Sequence, residues 1–258
     1  MPSEFALVKW YMDCVTERGD LALVYCAELR WRGIRASYSS VLTVREASTE
    51  SRSSMGSYRL SATSGQISVE IPRLRVSGIW KADAAPAERI VYENAGGRAH
   101  WNCLQPRSLV DLRIGEREFS GLGYAECLTL TVPPWQLPMR ELRWGRFVSP
   151  EDALAWVDWK GEYATSFAIH NGQACETLTV SDSEVVTRGG SLRMAESFSI
   201  RAGRVGSTVL PGAPALGKLL PRSLFNIEEQ KWRSRGAFTE GDRSSHGWVI
   251  HEVVHWKV

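Results

Sequence analysis

Apolar and polar residues alternate with a period of two in short runs along this chain, and stripes at helical spacing are scarce. The alternation is plain at Ile67-Val69-Ile71, Val110-Leu112-Ile114, Leu128-Leu130-Val132, Leu192-Met194-Phe198-Ile200 and Trp248-Ile250-Val254-Trp256. Successive side chains of a strand point to opposite faces, so each run predicts a strand buried on one side. Turn signals separate the runs at Glu17-Arg18-Gly19-Asp20, Asn94-Ala95-Gly96-Gly97, Asn171-Gly172 and Arg188-Gly189-Gly190. Short strands, tight turns and no interleaved helices predict an all-β antiparallel chain, barrel or sandwich. The run Leu21-Ala22-Leu23-Val24-Tyr25-Cys26-Ala27 is apolar on both faces. It predicts either a barrel wall against a core or an apolar ligand, or a strand between two packed sheets. Residues 214–231, rich in Pro and Gly at their start, have room for a turn or two of helix (Leu216, Leu219 and Leu220, then Ile227-Glu228-Glu229-Gln230-Lys231).

The pattern echoes itself. Trp10-Tyr11-Met12-Asp13 leads through an acidic turn at Asp20 into Leu21-Ala22-Leu23-Val24-Tyr25. Trp144-Gly145-Arg146-Phe147 leads through Glu151-Asp152 into Ala153-Leu154-Ala155-Trp156-Val157. A His-Trp pair follows in each half, His100-Trp101 and His255-Trp256. Two tandem β units account for the echo, residues 1–118 and 119–258, with the junction at residues 115–123 or in the loop Pro133-Pro134-Trp135-Gln136-Leu137-Pro138. Coincidence in a chain with eleven tryptophans is the competing account.

Composition narrows the function classes. The 258 residues are 43% hydrophobic and 23% charged, and 31 basic against 29 acidic residues leave a net charge of +2. Nothing there points to a nucleic-acid partner, which calls for a concentrated basic excess. No apolar run approaches the ~18 residues of a membrane span, and the first residues lack the pattern of an export signal. Five scattered cysteines, with no CxxC pair, read as reduced thiols of a cytoplasmic protein. There is no G-x-S-x-G elbow, phosphate-binding loop or dinucleotide fingerprint, so no cofactor is implied.

His251-Glu252-Val253-Val254-His255 formally matches the zinc-protease HExxH. Its Val-Val spacer and Trp/Ile flanks are strand residues, however, and in a strand the two imidazoles stand about 13 Å apart, too far to share an ion. No metal site is expected.

Three glutamates interrupt apolar strand faces: Glu126, in phase with Tyr124, Leu128 and Leu130; Glu196, between Met194 and Phe198; and Glu252, between Ile250 and Val254. A carboxyl group in apolar surroundings is a usable proton donor near neutral pH; an ion pair with Arg143, Arg146, Arg201, Arg233 or Arg235 is the structural alternative. The glycines of Gly121-Leu122-Gly123-Tyr124-Ala125-Glu126 permit close backbone approach. A return by the next strand would set Tyr124, Glu126, Trp144 and Arg146 on one face: an acid, a phenol, an indole and a cation. Aromatic faces stabilise a developing carbocation, and an adjacent acid can start or quench it.

These residues resemble a known family. Gly121-Leu122-Gly123-Tyr124-Ala125-Glu126, the Pro-rich connection and Leu142-Arg143-Trp144-Gly145-Arg146 are similar to the lipocalin-like superfamily of carotenoid 1,2-hydratases (hydroxyneurosporene synthases), AttH-type proteins and, more distantly, tocopherol cyclases. The opening Trp10-Tyr11-Met12-Asp13 and closing Gly247-Trp248-Val249-Ile250-His251-Glu252 also resemble that family's ends. The resemblance implies two tandem lipocalin-like antiparallel β-barrel or sandwich units and proton-driven hydration, cyclisation or isomerisation of a hydrophobic polyene, prenyl or polyketide-like molecule without a cofactor. The His/Asp-rich stretch that carotenoid hydratases carry after the Gly-Tyr element is replaced here by Ala125-Glu126-Cys127-Leu128-Thr129-Leu130, so only Glu126 can stand for the acid. Glu126, Arg146 and Tyr124 are thus the expected catalytic residues, with Trp144, Trp101, Trp10, Trp156 and Glu252 lining the substrate. A non-catalytic lipid or pigment carrier is the alternative function.

Overall fold

The structure is a computed structural model that describes residues 5–63, 65–204, 221 and 226–256. The chain divides into two compact units, Met1–Leu137 and Pro138–Val258. In the first, ten strands run in the order β1 (Phe5–Val15), β2 (Leu21–Trp31), β3 (Ile34–Arg45), β4 (Ser48–Met55), β5 (Arg59–Ala62), β6 (Gln66–Ile71), β7 (Val76–Ala82), β8 (Ala87–Asn94), β9 (Gly97–Ile114) and β10 (Arg117–Leu130). They form one antiparallel sheet, ordered β4-β3-β2-β1-β10-β9-β7-β6-β5, with β8 pairing β9 off this path. Because β1 pairs with β10, the meander closes on itself and is cut between β4 and β5. Side chains reach across the cut: Arg73 Nη1 donates to the Met55 carbonyl at 2.9 Å, and Arg117 holds Glu50 through two bonds of 3.0 Å.

The second unit repeats the plan. Its described strands are β11 (Met139–Val148), β12 (Ala153–Gly161), β13 (Thr165–His170), β14 (Gln173–Cys175), β15 (Thr177–Val180), β16 (Glu184–Thr187), β17 (Ser191–Arg204), β18 (Glu228–Glu240) and β19 (Arg243–His255). Their order, β14-β13-β12-β11-β19-β18-β17-β16-β15, reproduces that of the first sheet once β8 is set aside. The protein is therefore all-β, with two tandem lipocalin-like units. The units part at the Pro-rich connection and not at residue 118, because β10 is bonded on both sides within the first sheet. Of the stretch expected to turn helically, Glu228–Lys231 open strand β18, and residues 214–220 and 222–225 lie outside the described residues.

The echo proves to be shifted by one residue. Val15 and Val148 end the first strands of the two units, so Tyr11, not Trp10, corresponds to Trp144. A one-residue offset exchanges the faces of a strand. Trp10 accordingly packs on the core face with Met12 and Cys14, whereas Trp144 lies on the face opposite the Phe147 and Trp156 core. The His-Trp pairs do not correspond, since His100 and Trp101 sit in β9 and His255 ends β19.

Each sheet has a filled core on one face. In the first unit Met12, Ala22, Val24, Val41, Ile67, Val69, Trp80, Val110, Leu112 and Phe119 pack together, with the Trp80 Nε1 donating to the Asp13 carbonyl at 2.7 Å. Gly121 and Gly123 let β1 come close: a methyl at either would collide with the Val15 or Asp13 carbonyl oxygen. Gly247 meets the Val148 carbonyl in the same way. The β2 run is buried on both faces as its composition predicts, with Leu21, Leu23 and Tyr25 opposite the core-facing Ala22, Val24 and Cys26. In the second unit the Trp156 ring fills the space over Gly145, where a Cβ would overlap it. Gly145→Ala should therefore destabilise the protein by about 1–3 kcal/mol, because an overpacked core has no room to give; a shift in the urea midpoint measures it.

Candidate active site

The face of the first sheet opposite its core carries the candidate chemistry. On β1 and β10, Tyr11 stands against Glu126 and Asp13 against Tyr124. On the flanking strands Tyr25 lies opposite Tyr11, and Cys103 opposite Glu126, with Trp101 two residues along on the same face. Glu126 is half-buried, whereas Tyr11, Asp13, Tyr124, Trp101 and Cys103 are fully buried. Two neutral donors converge on one carboxylate oxygen: the Tyr124 hydroxyl reaches Glu126 Oε2 at 2.7 Å and the Trp101 Nε1 at 2.5 Å. The Tyr11 hydroxyl donates to Asp13 Oδ2 at 2.9 Å, and its ring meets those of Tyr25 and Tyr124 edge-on at 5.2 and 6.0 Å. Lys9 lies 5.4 Å from the centre of the Tyr25 ring.

Burial fixes the protonation of the neighbours. It is the leading cause that lifts the Tyr124 phenol well above its ordinary value, reinforced by Cys103 and by the Glu126 carboxylate, so the phenol remains a neutral donor. The Cys103 thiol is lifted for the same reason, partly offset by its hydrogen bond with Tyr124, and stays a thiol.

Of the residues expected to act together, the structure joins Tyr124, Glu126 and Trp101. Arg146 and Trp144 do not join them by strand pairing, because β11 pairs with β12 and β19 instead of returning against β10. The buried Arg146 donates from Nη1 to the Trp248 carbonyl at 2.8 Å. Trp10 and Trp156 are packed on the two cores. Glu126 also does not face the interior of its sheet, which Trp80 and its neighbours fill. An open groove of about 600 Å³ does exist in this unit, lined by polar residues such as Ser61, Glu70, Asp111 and Arg113, but none of the Glu126 cluster lines it.

Glu252 occupies in the second unit the position of Glu126, opposite Trp144 as Glu126 is opposite Tyr11. Its chemistry differs: it is ion-paired with Lys231, which is 2% exposed and lies 5.4 Å from the Trp144 ring centre. Lys231 also stands 3.8 Å from Glu229, which accepts from Arg201 at 3.1 and 2.8 Å. Glu196 is exposed in a bulge of β17, with φ +51°, and does not stand on the apolar face between Met194 and Phe198.

Tyr11, Asp13, Tyr25 and Cys103 were not expected at the site. The first two were accessible from the alternation of Trp10-Tyr11-Met12-Asp13 once the register with β10 is known; nothing local identifies Cys103.

His251 and His255 sit on strand β19, as the composition of HExxH predicts. Burial holds the His251 imidazole down from 6.5 to about 4; Arg143 adds to this, and Asp182 and Glu252 oppose it. The unfolded chain thus takes up this proton first. Stability should be complete above pH 6.5 and decline as the pH falls from 6.5 towards 4, by about 3 kcal/mol at ~1.4 kcal/mol per unit. Urea midpoints measured across that window, with His251→Gln as the reference, should show a slope in the native sequence that the variant lacks.

No family model matches the chain, and no curated protein is similar to it in sequence. Solved structures are similar in fold. CghA with Sch210972 superposes with a TM-score of 0.58 at 11% identity, over 98% of this chain and 89% of that one. An AttH protein from Nitrosomonas europaea gives 0.61 at 9% identity, over 98% and 94%. Kievitone hydratase from Nectria haematococca gives 0.59 at 9% identity, over 99% and 91%. At such identities the likeness establishes the shared two-unit β architecture, and that alone.

Proposed function

We propose that the protein is an enzyme of hydratase, cyclase or isomerase type that acts on a hydrophobic unsaturated small molecule, with Glu126 moving the proton. The observation that carries this reading is the convergence of the Tyr124 hydroxyl and the Trp101 indole on Glu126 Oε2, within a set of buried aromatic rings. In its protonated form the carboxyl group gives its proton to an alkene carbon, and the carbocation that forms is stabilised by the aromatic faces around it. Water or an internal double bond captures the cation, and the carboxylate takes a proton back. Tyr124 and Trp101 hold the carboxyl in place, and Tyr11 and Tyr25 wall it. This reading rests on the first unit and gives Arg146 no part. A neighbour of the same fold is a hydratase, which supports a reaction of this class. The test is incubation with a linear polyene, a prenylated phenol and a polyketide-like triene, with mass spectrometry for a water adduct or an isomer of unchanged mass. Binding of all three without conversion would overturn the enzyme reading and leave a carrier.

A further inference from the structure

The second unit contains a chain of hydroxyl groups ending on an imidazole, remote in sequence from the Glu126 cluster. Ser197 Oγ lies 2.8 Å from Ser234 Oγ, and Ser234 Oγ lies 2.9 Å from His251 Nε2. Three different strands supply them: β17, β18 and β19. Ser234 is fully buried, His251 is 4% exposed, and Ser197 is exposed. The His251 ring is fixed by stacking on Trp232, with centres 5.0 Å apart and planes 21° from parallel.

The backbone at Ser197 is unusual. Ala195 pairs with Arg235 and Phe198 with Arg233, so Glu196 and Ser197 together face the single residue Ser234. Within this bulge Glu196 has φ +51°, a left-handed conformation in a residue that is neither glycine nor asparagine. Strain of this kind costs on the order of 1–3 kcal/mol and persists where the surroundings impose it, often at functional sites. Nucleophilic serines of hydrolases are presented on strained turns beside a histidine in a comparable manner.

We propose that Ser197 is a nucleophile, its hydroxyl relayed through Ser234 to His251, and that it accepts acyl groups from small activated carboxylic esters. With His251 carrying its proton on Nδ1, Nε2 accepts from Ser234, which accepts from Ser197. As Ser197 Oγ bonds to the ester carbonyl carbon, its proton passes to Ser234 Oγ and the Ser234 proton to His251 Nε2. The ester C–O bond then breaks as Ser234 gives its hydroxyl proton to the departing oxygen and takes back the proton held on His251 Nε2, leaving acyl-Ser197 and a free alcohol. Water attacks the acyl group by the same route and restores the serine. Burial disfavours the imidazolium, so the base is weak. Esters with good leaving groups, not amides, therefore fit the site.

The test uses the intact protein and a fluorophosphonate, which forms an O–P bond to serine while the P–F bond breaks and fluoride leaves with the proton. Peptide mapping should place the adduct on Ser197, formed at least about tenfold faster than on the exposed Ser48 and Ser51. Ser234→Ala and His251→Gln should slow that labelling by a similar factor in protein whose circular dichroism is unchanged, and an aryl acetate should leave an acetyl group on the same peptide. Labelling of Ser197 no faster than of Ser48 and Ser51 would overturn the proposal without recourse to any variant. So would an unchanged rate in folded His251→Gln.

Discussion

Replacing Glu126 with glutamine is expected to abolish conversion of the unsaturated substrate while leaving its binding in place. The amide keeps the size of the side chain and can still accept from the Tyr124 hydroxyl and the Trp101 indole through its oxygen. What it loses is the acidic proton of the carboxyl group. General acid–base groups contribute about 10²–10⁴-fold, so kcat should fall by that factor with KM within a few-fold. Quenching of tryptophan fluorescence by the ligand, to which the buried Trp101 responds, reads the binding separately from the chemistry. Tyr124→Phe removes one of the two donors and should give a smaller loss, because the indole still orients the carboxyl. If Glu126→Gln turns over at the native rate, proton transfer by this residue is wrong whatever the substrate.

The largest stability effect is expected at Asp152, in the turn between β11 and β12. Its side chain is 1% exposed and ties three connections of the second unit together. Arg243, at the start of β19, grips it with two bonds of 2.9 Å. His170 Nε2 lies 2.8 Å from it and Asn171 Nδ2 donates to it at 3.3 Å, both from the end of β13 and its turn. Asp152→Ala strands these donors. Breaking a buried ion pair costs about 3–5 kcal/mol, and because Arg243 is 48% exposed and can return to water, the lower end applies. A loss of about 3 kcal/mol corresponds to a fall in Tm of roughly 6–12 °C for a chain of this size. The Arg243 bonds hold the carboxyl far below the usual carboxylate range against the opposing effect of burial. A carboxylate depressed in the folded state stabilises fully above its unfolded value, about pH 4, and the contribution disappears as the pH falls further. The alanine variant should therefore lose stability at neutral pH and approach the native protein in strong acid. A gap between the two that is independent of pH would mean that packing, not charge, holds these turns. The first unit has a weaker counterpart in Asp20, which accepts from Arg45 at 3.2 Å in an exposed setting.

The duplication explains why one glutamate is a candidate catalyst and its counterpart is not. Glu126 and Glu252 occupy the same place in the two sheets, opposite an aromatic residue of the first strand. In the first unit the strand beyond contributes Cys103 and Trp101; in the second it contributes Lys231. An ammonium group directly beside a carboxylate holds it in the charged form and so makes it a poor proton donor. A phenol and an indole hold the carboxyl with neutral donors, which favour its charged form less strongly than an ammonium does.

Much of the architecture could be read from residue spacing because the cause is local. Alternation is set by the pleat, so Tyr124 and Glu126 had to share a face, and Asn171-Gly172 had to turn. The run from Leu21 to Ala27 had to be covered on both sides, since its apolar surface leaves no face for water. Which strand lies beside which is not local. β10 is flanked by β1 and β9, which set Trp101 beside Glu126, and β11 pairs with β12 and β19 instead, although Arg146 lies slightly nearer to Glu126 along the chain than Trp101 does. The bulge that turns Glu196 outward, the one-residue offset between Tyr11 and Trp144, and the meeting of Ser197, Ser234 and His251 share that origin. They depend on a register fixed by packing across the whole sheet, where shifting one strand by one residue would exchange everything its two faces present.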